Sequence, residues 1–174
     1  ELRRGEPLVR LAERYEKAGA LALPFGPAFQ PTHGLYNSFR LQPQGKSLPI
    51  YGDGMQIRDW LYVEDHCEAI LTVLKQGQPG ESYNVGGDNQ PTNLTVVDTI
   101  CDILDECVPA SSHVPHASLK QHVTDRPGHD RRYAIDIAKI QRELDWQPRQ
   151  SLASGLLKTV EWYLNHPEWV EAIH

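Results

Sequence analysis

The stretch Leu48-Pro-Ile-Tyr-Gly-Asp-Gly-Met-Gln-Ile-Arg-Asp-Trp-Leu-Tyr-Val-Glu-Asp-His-Cys-Glu-Ala-Ile-Leu-Thr-Val-Leu-Lys-Gln76 holds the change of period that sets the fold class. Leu48–Tyr51 reads as a strand. Asp53-Gly54 is a dipeptide that accepts the positive φ angles of a tight turn, so Met55–Tyr62 is expected to return as the second strand of a hairpin. From residue 63 the spacing becomes helical. Val63, Cys67, Ile70, Leu71 and Leu74 recur three or four apart, which predicts a helix over 63–76. Gly77 is expected to end it with a left-handed cap.

Working outward, Ser82–Val85 reads as a short strand broken by Gly86-Gly87. Asn93 is the expected N-cap of a helix over 94–107, with Val96, Val97, Ile100, Ile103 and Leu104 inward. A loop containing Pro109 and Pro115 leads to a strand near 120–124. Asp136 is placed to cap a helix running to Leu144, and a last helix spans 151–165, stopping before Pro167. Upstream, 8–17 has a helical stripe of Leu8, Leu11 and Tyr15. Residues 24–47 are rich in Pro, Gly and Gln and form an irregular stretch anchored by Leu35, Tyr36 and Phe39. Helices outnumber strands and no repeat is visible, so the expected class is α/β (α+β-like), a small short-stranded sheet held between helices.

At 174 residues, 40% apolar and 23% charged, the chain is large enough for a real core. Its net charge of -6, without a long run of Lys and Arg, argues against nucleic acid or an acidic membrane surface as partner. No apolar run approaches the roughly 20 residues of a spanning helix, and no signal leader is read at the start. The first residue is Glu rather than Met, as in a processed, trimmed or excised piece. Cys67, Cys101 and Cys107 lack metal-ligand spacing and are read as reduced thiols on buried helix faces of a cytoplasmic protein. His113, His116 and His122 fit no strong metal template and are expected in solvent.

Within this acidic chain, Arg58, Arg126, Arg131 and Arg132 cluster in two short stretches. A guanidinium presents a planar fork of donors that suits two phosphate oxygens together, so the pattern points to a local anion site. Pro127 stiffens the loop after Arg126, Gly128 lets backbone approach a ligand, and His129 adds a donor. The alternative is structural: Arg58 and Asp59 as half of an ion pair, with Arg131 and Arg132 as surface charge. Tyr51 can pack on the core or stack on a ligand. Asn93 can cap a helix and serve a ligand at once, since helix N-termini favour anions. The carboxylates of Val63-Glu-Asp65 are expected to act as caps. Gly86-Gly87 is a turn, lacking the third glycine and following helix of a dinucleotide fingerprint.

Three motifs, Gln56–His66, Tyr83-Asn-Val-Gly-Gly87 and Asp125-Arg-Pro-Gly-His-Asp-Arg-Arg-Tyr-Ala-Ile-Asp136, resemble the C-terminal portion of dTDP-glucose 4,6-dehydratases. These are extended short-chain dehydrogenases/reductases acting on nucleotide sugars. The resemblance runs from Gly45 through Leu164. It implies a substrate-binding part of such an enzyme, residues 45–174, after a divergent segment 1–44, with the Rossmann half absent. It also implies that Pro49, Ile50, Tyr51, Arg58, Asn93, Asp125, Arg126 and His129 match nucleotide-sugar contacts. Before residue 45 the likeness decays: Leu23-Pro24 replaces the family's Asn-Asn, and Pro31-Thr-His-Gly34 replaces its Pro-Glu-Lys-Leu. The Lys of the Tyr-x-x-x-Lys pair falls on Leu2.

The family reaction needs NAD, a Tyr base with its Lys, and an Asp–Glu pair for elimination. The expectation is therefore a dTDP-glucose-type nucleotide-sugar binder that holds no cofactor and is not catalytic alone, NAD being expected only if a Rossmann half is supplied elsewhere. Two alternatives stand beside it: a non-catalytic remnant serving as an oligomeric binding or interaction module, and part of a related nucleotide-sugar epimerase. Apolar surface left without the cofactor half predicts a homo-oligomer, through the 8–17 helix or the Leu35–Phe39 loop, or a separate cofactor-binding partner.

Overall fold

The computed structural model describes residues 45–168. In chain order it contains β1 (Leu48–Tyr51), α1 (Val63–Gln76), α2 (Asn93–Cys107), a 3-10 turn (His116–Leu119), β2 (Lys120–Val123), α3 (Ala138–Leu144) and α4 (Leu152–Asn165). This is the expected α/β class. The helix read at 8–17 and the irregular stretch up to residue 44 lie outside the described residues.

The hairpin does not form. β1 pairs in parallel with β2, from Leu48 opposite Lys120 to Tyr51 opposite Val123. The turn itself is present: Gly52 and Gly54 have positive φ, and the Gly54 N–H donates to the Tyr51 carbonyl. What differs is the exit. The Leu94 N–H donates to the Gly54 carbonyl at 2.9 Å and the Asn93 N–H to the Gln56 carbonyl at 2.8 Å. The start of α2 thus takes the backbone acceptors through which a returning strand would have paired.

α2 is the spine of the core. Val96, Ile100 and Leu104 pack against Leu156 and Val160 of α4. Val97 and Cys101 pack on Leu48 and Ile50 of β1. Each such side chain, fully buried, contributes roughly 1.5–3 kcal/mol, so α2 binds sheet and α4 into one body. Its N-cap is Thr92 rather than Asn93: Thr92 has extended backbone, and its hydroxyl accepts the Thr95 N–H at 3.1 Å. Asn93 becomes the first helical residue.

α1 spans the expected residues but buries a different face. Asp65, His66 and Ala69 are inward, whereas Val63 and Leu74 are 37% and 69% exposed. Ala69 packs with Ile137, Ile140 and Leu144 around α3, and its small size allows close approach. Asp65 is no helix cap. Its carboxylate accepts the Gln150 N–H at 3.0 Å, tying the α3–α4 connection to α1. Gly77 has φ -63° and so is not left-handed. It is glycine for want of space, because a Cβ would lie 2.5 Å from the Val73 carbonyl oxygen.

Ser82–Val85 carries no strand pairing; Tyr83 and Val85 pack instead on the α1–α3 cluster. Asp136 stands two residues before α3 and accepts the Ala138 N–H at 2.8 Å, while Ser151 caps α4. Cys101 is buried, Cys67 half-buried and Cys107 exposed, so the thiols do not share one burial. His116 is 1% exposed rather than solvated, because Asp105 accepts from both its backbone N–H and its ring Nδ1.

Two predictions follow from this packing. A Cβ at Gly87 would lie 1.8 Å from the Trp60 carbonyl oxygen, whereas one at Gly80, with φ +88°, meets nothing within 4 Å. Gly87→Ala should cost about 4 kcal/mol or more, and Gly80→Ala about 1–2 kcal/mol from backbone strain alone, both read by urea denaturation. Separately, His66 is buried with neither ring nitrogen partnered, and burial pushes its pKa down. The folded state then holds the neutral ring, while the unfolded chain takes up a proton below its ordinary value of about 6.5. Stability should fall as pH drops through that value, by up to about 1.4 kcal/mol per pH unit from this group. Denaturation of His66→Leu across the same range should lack that component of the slope.

Candidate functional site

The site is assembled by one short extended segment, Gln56–Arg58. Ile57 bridges Thr92 on one side, antiparallel, and Arg132 on the other, parallel. The Ile57 N–H donates to the Arg131 carbonyl at 2.8 Å, and the Ile57 carbonyl accepts the Tyr133 N–H at 3.0 Å. On the other flank the Gln56 carbonyl accepts the Asn93 N–H, and the Arg58 N–H donates to the Pro91 carbonyl at 3.4 Å. Backbone pairing thus brings together the two arginine-bearing stretches and the start of α2.

Arg58 is 6% exposed. Its Nη1 donates to the Ile57 carbonyl at 2.7 Å, its Nη2 to the Asp130 carbonyl at 2.9 Å, and the guanidinium stacks 4.7 Å from the Tyr133 ring centre. Burial pulls its pKa down; the nearby Tyr133 and Asp130 charges oppose that, and the charge of Arg126 adds to it. Both of those hydrogen bonds go to neutral carbonyls. The ion pair contemplated with Asp59 is not made, because the Asp59 carboxylate accepts the Gly87 N–H, and burial pushes its pKa up. Among the described residues neither Arg58 nor Arg126 has a carboxylate partner.

Arg131 and Arg132 behave differently. Arg131 forks onto both oxygens of Asp53 at 2.9 Å, and Arg132 donates to Gln90; both are exposed. The Asp53 carboxyl lies below its usual range because the Met55 N–H and then Arg131 stabilise its charge.

Just after β2, Asp125 receives three donors: Gln56 Nε2 at 2.8 Å, the Arg126 N–H at 2.9 Å and His129 Nδ1 at 2.7 Å. The His129 bond, ahead of the Arg126 N–H, holds the Asp125 carboxyl below its ordinary value. Asn93 sits half-buried at the first turn of α2. Along β1 the side chains alternate. Ile50 enters the core with Leu48, and Pro49 and Tyr51 share the half-exposed face. Arg58, Asn93, Asp125, Arg126 and His129 therefore gather around Gln56–Arg58, with Pro49 and Tyr51 on the strand that leads into it. Gln56, Asp130 and Tyr133 hold this corner without having been singled out in sequence. Gln56 is only an amide beside an arginine, and Tyr133 reads as surface until its ring meets Arg58.

Gly86 packs against Ile135 and Gly87 against the Trp60 carbonyl, so the pair serves close packing rather than a phosphate-binding loop. No group of three His, Cys, Asp or Glu among the described residues is placed to hold a metal, and no helix there is long and apolar enough to cross a membrane.

The family model for GDP-mannose 4,6 dehydratase matches residues 35–159. The chain belongs to that family. Within it, the chain is 57% identical over 130 residues to a dTDP-glucose 4,6-dehydratase of Escherichia coli, covering 75% of this chain and 36% of that protein. A Neisseria meningitidis dTDP-glucose 4,6-dehydratase is 53% identical over 127 residues, again with 36% of its length covered. The chain thus spans little more than a third of the curated relatives it matches. The crystal structure of the Bacillus anthracis dTDP-glucose 4,6-dehydratase in complex with NAD superposes with TM-score 0.72 at 38% identity, over 95% of this chain and 52% of that one. The Thermotoga maritima UDP-glucose 4-epimerase with UDP-glucose gives 0.62 at 26% identity, over 75% and 38%. The family's shared fold is therefore that of extended dehydratases and epimerases, with dehydratases the more similar in sequence.

The two guanidiniums without carboxylate partners are distinguished by what removal would expose. Arg58→Ala removes a buried side chain together with its bonds to the Ile57 and Asp130 carbonyls and its stacking on Tyr133, and should cost about 2 kcal/mol. Arg126→Ala breaks no side-chain bond among the described residues and should change stability by less than about 0.5 kcal/mol. Parallel urea denaturation of the two variants checks this.

Proposed function

We propose that this chain is the nucleotide-sugar-binding portion of a dTDP-glucose 4,6-dehydratase-like protein, and that it binds its ligand without turning it over. The observation that carries this is the convergence of Arg58 and Arg126, neither with a carboxylate partner among the described residues, on the corner built by Gln56–Arg58. A diphosphate brings about two negative charges, and bonds between ionised partners are roughly twice as strong as neutral ones. Arg126 is the cation proposed to meet it directly. Arg58 supplies field from behind and, with donors to spare, a further N–H. Tyr51 and Pro49 on the half-exposed face of β1 are the proposed platform for the base and sugar, and Asn93 a donor at the α2 N-terminus. Asp125 and His129 complete the loop.

The 174 residues contain neither a Tyr-x-x-x-Lys pair nor a glycine-rich dinucleotide fingerprint. NAD is therefore proposed to enter only with a cofactor-binding half, which would supply the hydride acceptor for oxidation of the sugar. The Val63 and Leu74 side chains exposed on α1 are consistent with a partner, either that half or a second copy of this chain. The 50–57% identity to dTDP-glucose dehydratases, against 26% to an epimerase, favours the dehydratase reading.

Calorimetric titration with dTDP-glucose, dTDP and UDP-glucose tests the reading. The two dTDP ligands should bind more tightly than UDP-glucose, Arg126→Ala should weaken them by about tenfold, and dTDP-glucose with NAD should give no turnover. No binding by the folded chain, or turnover by it alone, would overturn the reading. Sedimentation that stays monomeric at every concentration would remove the second copy as partner.

A further inference from the structure

We infer that Gln56 is a positioning residue for the anion loop, and that Asp125 works inward, with Gln56, rather than on the ligand. Gln56 fixes Asp125, Asp125 fixes Arg126 and His129, and those two residues face the diphosphate. The inference deepens the nucleotide-sugar reading and rests on it for the identity of the ligand.

Gln56 is 3% exposed, and its own backbone is pinned by the Asn93 N–H, so its side chain starts from a fixed point. Nε2 donates to Asp125 Oδ2 at 2.8 Å, whereas Oε1 is buried without a partner. A buried amide that leaves its oxygen unsatisfied is being held by its donor end. Turning the amide over would set oxygen against carboxylate, so Asp125 dictates its orientation.

The other Asp125 oxygen, Oδ1, takes the Arg126 N–H and His129 Nδ1. Gly52 closes the remaining side, since a Cβ there would stand 2.9 Å from Asp125 Oδ2, at a φ of +59° that also favours glycine. Both carboxylate oxygens are thus occupied by the protein. A free carboxylate turned toward a diphosphate would repel it. The same group facing three donors lends the loop rigidity and directs its oxygens at the protein's own N–H groups.

The choice of glutamine follows. It supplies a buried donor to Asp125 without adding a second negative charge beside an anion site. The bond to Asp125 also sets the His129 tautomer: with Nδ1–H directed at the carboxylate, Nε2 is left for the ligand. Arg126, whose backbone is bound by the same carboxylate, keeps its guanidinium outside this network.

The test uses the full chain, as wild type, Gln56→Leu and Gln56→Glu, titrated with dTDP between about pH 5 and pH 8, with amide spectra to verify folding. Gln56→Leu should bind about tenfold more weakly at every pH, since a lost donor to a charged group is worth about that factor. Gln56→Glu should match wild type at the acid end, where two adjacent carboxyls share a proton and one again donates to the other. It should lose about tenfold as pH rises and that proton leaves. Equal affinity of all three proteins at every pH overturns the inference. So does an equal, pH-independent loss in both variants, which is what a merely structural role would give.

The ring 15N spectrum of His129 in the ligand-free chain adds a readout independent of dTDP. The wild type should show the Nδ1–H tautomer and Gln56→Leu should lose it. Should dTDP fail to bind even the wild type, the nucleotide-sugar reading falls. The His129 spectrum then still decides the coupling: a tautomer unchanged in Gln56→Leu overturns it.

Discussion

The organisation of this domain depends on backbone pairing along both edges of Gln56–Arg58. One edge is taken by the start of α2 and the other by Arg131–Tyr133. Each bond is worth about 1 kcal/mol net, so their energy is modest beside the apolar core on α2. Their consequence is geometric. Because α2 packs on α4 and β1 at once, fixing its first turn to Gln56 places the Arg58 segment relative to both. The parallel pairing of β1 with β2 then delivers Asp125 to the same corner. Core packing determines where the corner lies, and backbone pairing determines which residues occupy it.

Much of the element order can be read in the chain because it is local. α1 and α4 fall within a residue of their expected spans, and β2 lies where a strand was expected. Most of the inward stripe of α2 also appears as read, since Val96, Val97, Ile100 and Leu104 are all buried and Ile103 is half-buried against them. The hairpin failed for a nonlocal reason. Asp53-Gly54 has the chemistry of a tight turn and makes one, but acceptors at Gly54 and Gln56 are claimed by α2, whose arrival no local pattern announces. Period alone also misplaced the inner face of α1. Its apolar residues are spaced correctly, yet the helix docks through Ala69, the residue that permits the closest approach.

At the site, residue types were legible and their partners were not. Clustered arginines in an acidic chain picked out the two stretches that meet at Gln56–Arg58, but nothing in the sequence separates Arg58, buried on carbonyls, from Arg131, exposed on Asp53. Likewise His116 and His122 look alike in a loop. Only the fold sets Asp105 beneath one, leaving the other exposed against the Gly52 carbonyl. Gln56 was legible only as the first residue of a motif, since an amide acquires meaning only through the group it faces.

The electrostatic balance of the corner follows from which charges are spent. Three carboxylates stand near it. Asp53 is forked by Arg131 and bonded to the Met55 N–H, Asp130 takes the Tyr133 hydroxyl, and Asp125 takes three donors. Each negative charge is thus engaged locally, and one cation, Arg131, is consumed with them. Arg58 and Arg126 are not consumed in this way among the described residues: one is satisfied by carbonyl dipoles and an aromatic face, the other has its backbone bound to Asp125. A protein with net charge -6 thereby keeps two guanidiniums at this corner outside carboxylate bonds among the described residues. Burial works against the Arg58 charge, and the nearby Tyr133 and Asp130 charges work for it. On the anion-site reading proposed above, binding depends less on how many arginines are present than on how far the neighbouring carboxylates are held by the protein's own donors.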